Sequence, residues 1–113
     1  MSDDCLFCRI VRREIPAAIV REDEHLLAFR DIDPKAPTHV LVVPKTHVAS
    51  LEEATDAAMI GRLLLAARDI ARTEGIAAAG YRAVINTGAE AGQTVHHLHV
   101  HLLGGRPMKW PPG

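Results

Sequence analysis

Several short segments of the chain have the apolar patterns of strands, and one longer segment repeats its apolar residues at helical spacing instead. Residues 56–74 place apolar side chains three and four positions apart, which predicts a long amphipathic helix. Leu6, Phe7, Ile10 and Val11 predict a shorter helix over Cys5–Arg13, ended by Pro16. Strand-like runs are predicted at 18–22, 25–30, 81–86 and 97–103, and the short, very apolar run 39–43 predicts a fifth strand. Without βαβ alternation, this order predicts an α+β fold with an antiparallel sheet.

The ends of the long helix have recognisable signals. Ser50 and Glu53 have the spacing of a capping box just upstream of it. Gly75 is placed as its C-terminal cap, because glycine readily adopts a positive φ. Gly61 lies inside the helix, where glycine costs about 1 kcal/mol relative to alanine, and is expected to mark a close packing contact.

Composition narrows the class of protein. The 113 residues are 48% hydrophobic and 24% charged, typical of one globular domain, 1–113. A net charge of −1 argues against a nucleic-acid polymer as partner. No apolar run approaches the roughly 20 residues of a membrane helix. The acidic start Met1–Asp4 lacks a signal-peptide pattern, so a cytoplasmic protein is expected.

The segment 97–103 carries the strongest chemical signal. His97, His99 and His101 alternate with Leu98, Val100 and Leu102, so a strand would present three imidazoles on one face and three apolar side chains to a core. A row of imidazoles suits either a nucleophile with its helpers or a metal site with a metal-bound water. The glycine-rich stretch 86–94 leads into it, and glycines let backbone N–H groups approach a phosphate.

A second chemical motif is Cys5-x-x-Cys8 near the N-terminus. In a reducing compartment this spacing indicates a metal half-site or two inert thiols rather than a structural disulfide.

The stretch from Gly92-Gln93-Thr94 through Leu103 resembles the signature of the histidine-triad (HIT) family, His-x-His-x-His followed by two apolar residues. The tail 104–113 is similar to that of its nucleotide-binding "Hint" branch. Upstream, 15–16, 28–32, 36–39 and 44–47 match the same branch in the same order. The resemblance implies a HIT-like fold, with a five-stranded antiparallel sheet, one long and one short helix, and a sheet continued across a homodimer.

The resemblance also implies roles for the site residues. His99 would attack the α-phosphorus of a nucleotide, His101 would donate to a phosphate oxygen, and Thr94 would lie near the leaving group. Asp31 would bind the ribose hydroxyls. The nucleotide-binding set is completed by Phe29 and Ile32 at the base, and by Asn86, Gly92 and Gln93 at the phosphate or the leaving group.

His97 is the remaining member of the catalytic triad, and some bacterial members of the family use this histidine to hold zinc. Cys5, Cys8, His47 and His97 form a plausible tetrahedral zinc set by this analogy. Chemistry itself would require no cofactor. Trp110, in the tail 104–113, would approach the partner subunit's site. His25, His39 and His96 are interpreted as ordinary surface or structural residues.

The leading hypothesis is therefore a hydrolase that cleaves the P–N bond of purine nucleoside 5′-phosphoramidates through a nucleotidyl-histidine. The alternatives are a dinucleoside polyphosphate hydrolase, a metallohydrolase that uses the three triad histidines as ligands, and a non-catalytic nucleotide sensor.

Overall fold

A computed structural model describes residues 4–113, so the first three residues of the acidic start lie outside the described range. The two helices are α1 (Leu6–Val11) and α2 (Ala57–Thr73). The strands are β1 (Ile19–Glu22), β2 (Leu26–Arg30), β3 (Thr38–Pro44), β4 (Tyr81–Val84) and β5 (Val100–Gly104). They form one sheet in the order β1-β2-β3-β5-β4, with every neighbouring pair antiparallel. The predicted five-stranded antiparallel sheet with one long and one short helix is confirmed.

The sheet separates two apolar clusters because alternate residues of a strand point to opposite faces. On one face, Leu63 and Ile70 of α2 pack in one cluster with Val40 and Val42 of β3 and Val100 and Leu102 of β5. The opposite face meets α1 through Phe7, Ile10, Phe29, Leu41 and Val43. All seven residues of the central strand β3 are buried. The candidate site lies on the α1 face, which carries the odd-numbered residues of β3 and β5.

The start of α2 differs from the sequence prediction. Asp56 caps the helix, and its Oδ1 accepts from the Met59 backbone N–H at 3.1 Å. The predicted capping box is wrong, because Ser50 makes no side-chain cap bond and precedes a separate 3₁₀ turn, Leu51–Glu53. Gly75 follows the helix with φ +78°, as predicted. Gly61 marks no close contact, since no atom lies within 4 Å of where its Cβ would be.

The first helix is shorter than the predicted Cys5–Arg13. Cys5 is its N-cap, and the helix ends at Val11. Arg13 adopts φ +63°, a left-handed conformation that stops the helix before Pro16 can. An ion pair from Arg13 to Glu22 then joins this turn to β1.

The histidine segment is only partly a strand. Val42 pairs with Val100, and continuing that register would place Leu98 opposite Pro44, which has no N–H to extend the ladder. Leu98 instead donates its backbone N–H to Val48 O at 2.7 Å. The predicted strand 97–103 is therefore wrong at its start, because β5 begins at Val100. Leu98, Val100 and Leu102 nevertheless enter the α2 cluster, as the alternation predicts.

The C-terminal tail folds back on the sheet. Arg82 of β4 donates to Lys109 O at 2.9 Å, and Arg106 donates to Lys35 O in the loop before β3. Trp110 remains 84% exposed. Among the described residues, no helix is long and apolar enough to cross a membrane.

Candidate active site

The three triad histidines occupy different environments. The rings of His99 and His101 lie side by side, with centroids 4.9 Å apart. The ring of His97 instead meets His47, at a centroid distance of 5.0 Å. The three imidazoles thus fall into two groups, with His97 beside His47 and with His99 beside His101. Of the three residues only His101 belongs to β5.

His99 has the geometry of a nucleophile. Its Nδ1 lies 2.7 Å from His97 O, and a carbonyl can only accept, so Nδ1 carries the proton and Nε2 keeps its lone pair. Burial lowers the pKa of His99, against the raising effects of that backbone bond and of Asp31. The ring is 7% exposed and packs edge-on against Phe7 at 5.0 Å. A neutral imidazole with a fixed tautomer is therefore the resting form.

A hydrogen-bonded relay fixes the tautomer of His101. The Lys35 backbone N–H donates to His39 Nδ1 at 3.0 Å, so in neutral His39 the proton is on Nε2. This Nε2–H donates to His101 Nδ1 at 2.9 Å, with Asp31 Oδ2 at 3.4 Å as a second neighbour. The proton of neutral His101 must then lie on Nε2. Burial, with His99 and His39 adding to it, lowers the pKa of His101 to about 4.

The same bonds argue against a metal at this relay, although Asp31, His39 and His101 lie close enough to share an ion. A metal on His39 Nε2 would require a proton on Nδ1, which faces the Lys35 N–H donor. The Lys35 N–H and a His39 Nδ1–H would then point at each other, with no acceptor between them. The described chain also distributes the triad among separate groups, with His97 in a different cluster and His99 in neither. This arrangement disfavours the metallohydrolase alternative with three triad ligands.

Cys5, Cys8, His47 and His97 converge on one point, as the zinc hypothesis requires. The sulfur-to-nitrogen distances are 3.3 to 3.4 Å, and His47 Nδ1 lies 3.2 Å from His97 Nδ1. Tetrahedral zinc with its usual bond lengths has nitrogen–nitrogen and sulfur–nitrogen edges of about 3.3 to 3.6 Å. His97 Nε2–H donates to Pro44 O at 2.8 Å, which leaves the Nδ1 lone pair for the ion. The donor set therefore fits a structural zinc.

A cavity of about 310 Å³ lies on the α1 face, and one of its lining residues, Phe7, packs against His99. Phe29, Asp31, Ile32 and Thr94, all assigned to the nucleotide by sequence, line it together with Phe7. Ile32 forms its rim, since this side chain is 98% exposed. Asp31 Oδ1 accepts from the Asp33 backbone N–H at 2.8 Å, which holds the carboxylate in the loop before β3. Five other residues assigned to the nucleotide do not line the cavity in the described chain: Asn86, Gly92, Gln93, His99 and His101.

The glycine-rich loop closes on itself. Gly92 has φ +86° and donates its N–H to Ala89 O. Gln93 is buried, and its side-chain amide bonds to three backbone groups: Gly88 N–H, Ala49 O and Val95 O. Its amide is committed to the loop, which differs from the predicted contact with phosphate. Thr94, the next residue, is exposed and lines the cavity.

Sequence reasoning missed two contributors. His39 was interpreted as structural, but it sets the proton position on His101. The sequence offered one signal for this role, a histidine at the start of an apolar strand, and that signal alone is weak evidence. Phe7 was assigned only to a helix face, yet its ring contacts Phe29, His97 and His99 at 5.4, 5.9 and 5.0 Å.

Comparison with known proteins agrees with this geometry. Residues 12–108 match the HIT domain family. An uncharacterised HIT-like protein of Synechococcus elongatus is 58% identical over the whole of both chains. A 14 kDa zinc-binding protein of Zea mays is 50% identical, covering 96% of this chain and 87% of that protein. A crystal structure of a HIT family hydrolase from Legionella pneumophila superimposes with a TM-score of 0.95 at 49% identity, covering 97% of this chain and all of that one. This chain therefore belongs to the HIT family.

Proposed function

We propose that this chain hydrolyses the P–N bond of purine nucleoside 5′-phosphoramidates, such as AMP joined to lysine or to ammonia. The observation that carries the proposal is the hydrogen bond from His99 Nδ1 to His97 O, which leaves Nε2 unprotonated. A cavity of about 310 Å³ lies on the same face of the sheet, and Phe7 contacts both this cavity and His99. The similarity to proteins described as HIT family hydrolases supports the same class of reaction.

The reaction would proceed in two displacements at phosphorus. His99 Nε2 forms a bond to phosphorus as the P–N bond breaks. The amine leaves with the proton of the Thr94 hydroxyl, which takes a proton from solvent in its place because Thr94 is exposed. Water then attacks phosphorus, the bond to Nε2 breaks, and the proton released by water restores the site. His101 Nε2–H donates to a phosphate oxygen throughout, where charge develops. The net products are AMP and the free amine.

The cavity accounts for recognition of the nucleoside. Phe29 and Phe7 present apolar surfaces to a base, and Ile32 would cover it from the rim. Asp31 would accept from both hydroxyls of a ribose, because a carboxylate can bind a vicinal diol. Its second oxygen lies beside His39, so ribose binding and the relay to His101 share one residue.

Zinc would act as a structural element in this proposal. When bound, it joins α1, through Cys5 and Cys8, to the segments that carry His47 and His97. No step of the reaction passes through the metal. The chain's own contribution is the His97 carbonyl, which accepts from His99.

The test is release of AMP from adenosine 5′-phosphoramidate by the purified chain. We expect His99→Gly to abolish turnover and His96→Gly to retain it, because His96 is an exposed neighbour outside the relay. A rapid acid-free quench with substrate labelled at the α-phosphate should trap label on the wild-type chain and none on His99→Gly. Near-normal turnover by His99→Gly would refute the assignment of the nucleophile.

Running dinucleoside polyphosphates beside the phosphoramidates tests the main alternative. The cavity of about 310 Å³ accommodates one nucleoside, so we expect phosphoramidates to be the better substrates. Preference for the dinucleotides would overturn the substrate class. Binding of AMP without turnover of either class would identify a sensor.

A homodimer completes the proposal. Strand β4 is an open sheet edge, and Tyr81 on it is 37% exposed. On α2, Leu64 and Leu65 are 40% and 52% exposed. Pairing two β4 edges would continue the sheet and cover these side chains. Sedimentation equilibrium should give twice the chain mass, and Tyr81→Asp with Leu65→Asp should shift the protein to a monomer; a wild-type monomer would refute this part.

A further inference from the structure

The buried side chain of Gln93 makes three hydrogen bonds, all to the main chain around it. Oε1 accepts from the Gly88 N–H at 3.0 Å, while Nε2 donates to Ala49 O at 2.8 Å and to Val95 O at 3.2 Å. The Gln93 backbone N–H also donates to Gly88 O at 3.1 Å. Residues 88 and 93 are thus joined twice, and the loop between them is a closed ring.

This closure changes which groups can bind a phosphate. The backbone N–H groups of Gly88, Ala91, Gly92 and Gln93 all donate within the ring, so they are not available to an anion. Thr94 is different: within residues 4–113, neither its N–H nor its hydroxyl donates to a protein acceptor. The donors that the loop offers to the cavity therefore include the N–H and the hydroxyl of Thr94, the residue immediately after Gln93.

Gln93 also joins the loop to the segment that follows β3. Its bond to Ala49 O lies next to the bond from Leu98 N–H to Val48 O. Residues 48 and 49 therefore hold the two ends of the segment 93–98, and Thr94 lies between these anchors. Preorganised donors act most strongly when they need not move during reaction, which is what two anchors provide.

We infer that Gln93 is a positioning residue for the proposed reaction: it holds the N–H and hydroxyl of Thr94 at the phosphate end of the cavity. The inference rests on the proposed function, since it assigns the role of Thr94 within that reaction. It replaces the direct contact with phosphate that the sequence suggested for Gln93.

The test is a double-mutant cycle between Gln93 and Thr94. Gln93→Leu removes the amide at similar size, and Gln93→Glu keeps the acceptor but directs a carboxylate at two carbonyl oxygens. Each is made alone and with Thr94→Ala. Glu90→Gln is the matched control, because Glu90 is exposed in the same loop and lies outside the site. The measurements are kcat and KM for adenosine 5′-phosphoramidate, the dissociation constant of AMP, and the melting temperature.

We expect Gln93→Leu and Gln93→Glu to lower kcat by about 10- to 100-fold in folded protein, within the range for a displaced transition-state donor. In the Thr94→Ala background the same two substitutions should lower kcat by a clearly smaller factor, because the hydroxyl that they displace is absent. Glu90→Gln should match wild type. Equal fold-losses in both backgrounds, or a lower melting temperature with unchanged kcat, would overturn the inference while the proposed function stands.

Loss of the proposed function is distinguishable from loss of this inference. If the wild-type chain binds AMP but cleaves no phosphoramidate, the proposed function fails, and the affinity for AMP decides the role of Gln93. A weakening of about 10-fold or more by Gln93→Leu, absent in Glu90→Gln, would retain the positioning role. Unchanged affinity, or a wild-type chain that binds no AMP, would overturn it.

Discussion

Replacing His39 by phenylalanine should damage both stability and turnover, for separable reasons. Phenylalanine retains a ring of similar size at this site, where His39 is 6% exposed, but removes both nitrogens. The Lys35 N–H then loses its acceptor, and His101 Nδ1 loses its donor. Each buried polar group left without a partner costs about 1 to 3 kcal/mol, so with two such groups the free energy of unfolding should fall by about 2 to 6 kcal/mol.

The effect on turnover follows from the tautomer of His101. Without the donor at Nδ1, His101 can place its proton on either nitrogen, and only the Nε2–H form donates to phosphate. Complete loss of such a donor costs about 100- to 1000-fold in kcat. Because the productive tautomer remains accessible, we expect about 10- to 100-fold for His39→Phe.

The assay combines urea unfolding with single-turnover cleavage of adenosine 5′-phosphoramidate by folded protein. His25→Phe is the control, since His25 lies at the exposed hairpin between β1 and β2. In a His101→Phe background, His39→Phe should lower kcat little further, because it acts through His101. If His39→Phe reduces stability but leaves kcat within about twofold of wild type, the relay has no part in turnover and this reasoning fails.

Three further predictions follow from other parts of the structure. Because the pKa of His101 is about 4 in the folded chain against an ordinary 6.5, the unfolded chain takes up this proton first. Stability should therefore fall with pH below 6.5, by about 1 kcal/mol between pH 7 and pH 5.5, and urea unfolding of His101→Phe should show a shallower slope. Metal analysis should find one zinc per chain and, in Cys8→Ser, less than about a tenth as much with a lower melting temperature; equal zinc in both proteins would eliminate the site. Gly61→Ala should raise the free energy of unfolding by up to about 1 kcal/mol, since its Cβ would meet open space; destabilisation in urea unfolding would show that another subunit packs there.

The sequence predicted burial and helix bounds well where periodically spaced apolar residues all pack against one neighbouring element. The alternation of Leu98, Val100 and Leu102 predicted their burial against α2 even where the backbone is no longer a strand. The spacing of apolar residues over 56–74 predicted α2 to within a residue at each end. The resemblance placed Phe29, Asp31, Ile32 and Thr94 in one set, and they line one cavity.

What the sequence concealed depends on contacts between distant segments. The start of β5 is set by Pro44, more than 50 positions away, because a proline cannot extend the ladder. The role of His39 depends on a backbone N–H at residue 35 and a ring at residue 101. Gln93 appears suited to phosphate until its three backbone partners are seen. No local pattern reports such pairings.

His97 participates in two systems through two different parts of the same residue. Its imidazole faces the cysteines, whereas its carbonyl oxygen accepts from His99, the proposed nucleophile. Every amino acid has a carbonyl, so the bond to His99 does not depend on the identity of side chain 97. Descendants of this chain could therefore lose the metal without losing the nucleophile, provided that other packing holds the segment in place. The candidate metal site and the proposed catalytic site are physically adjacent but evolutionarily separable.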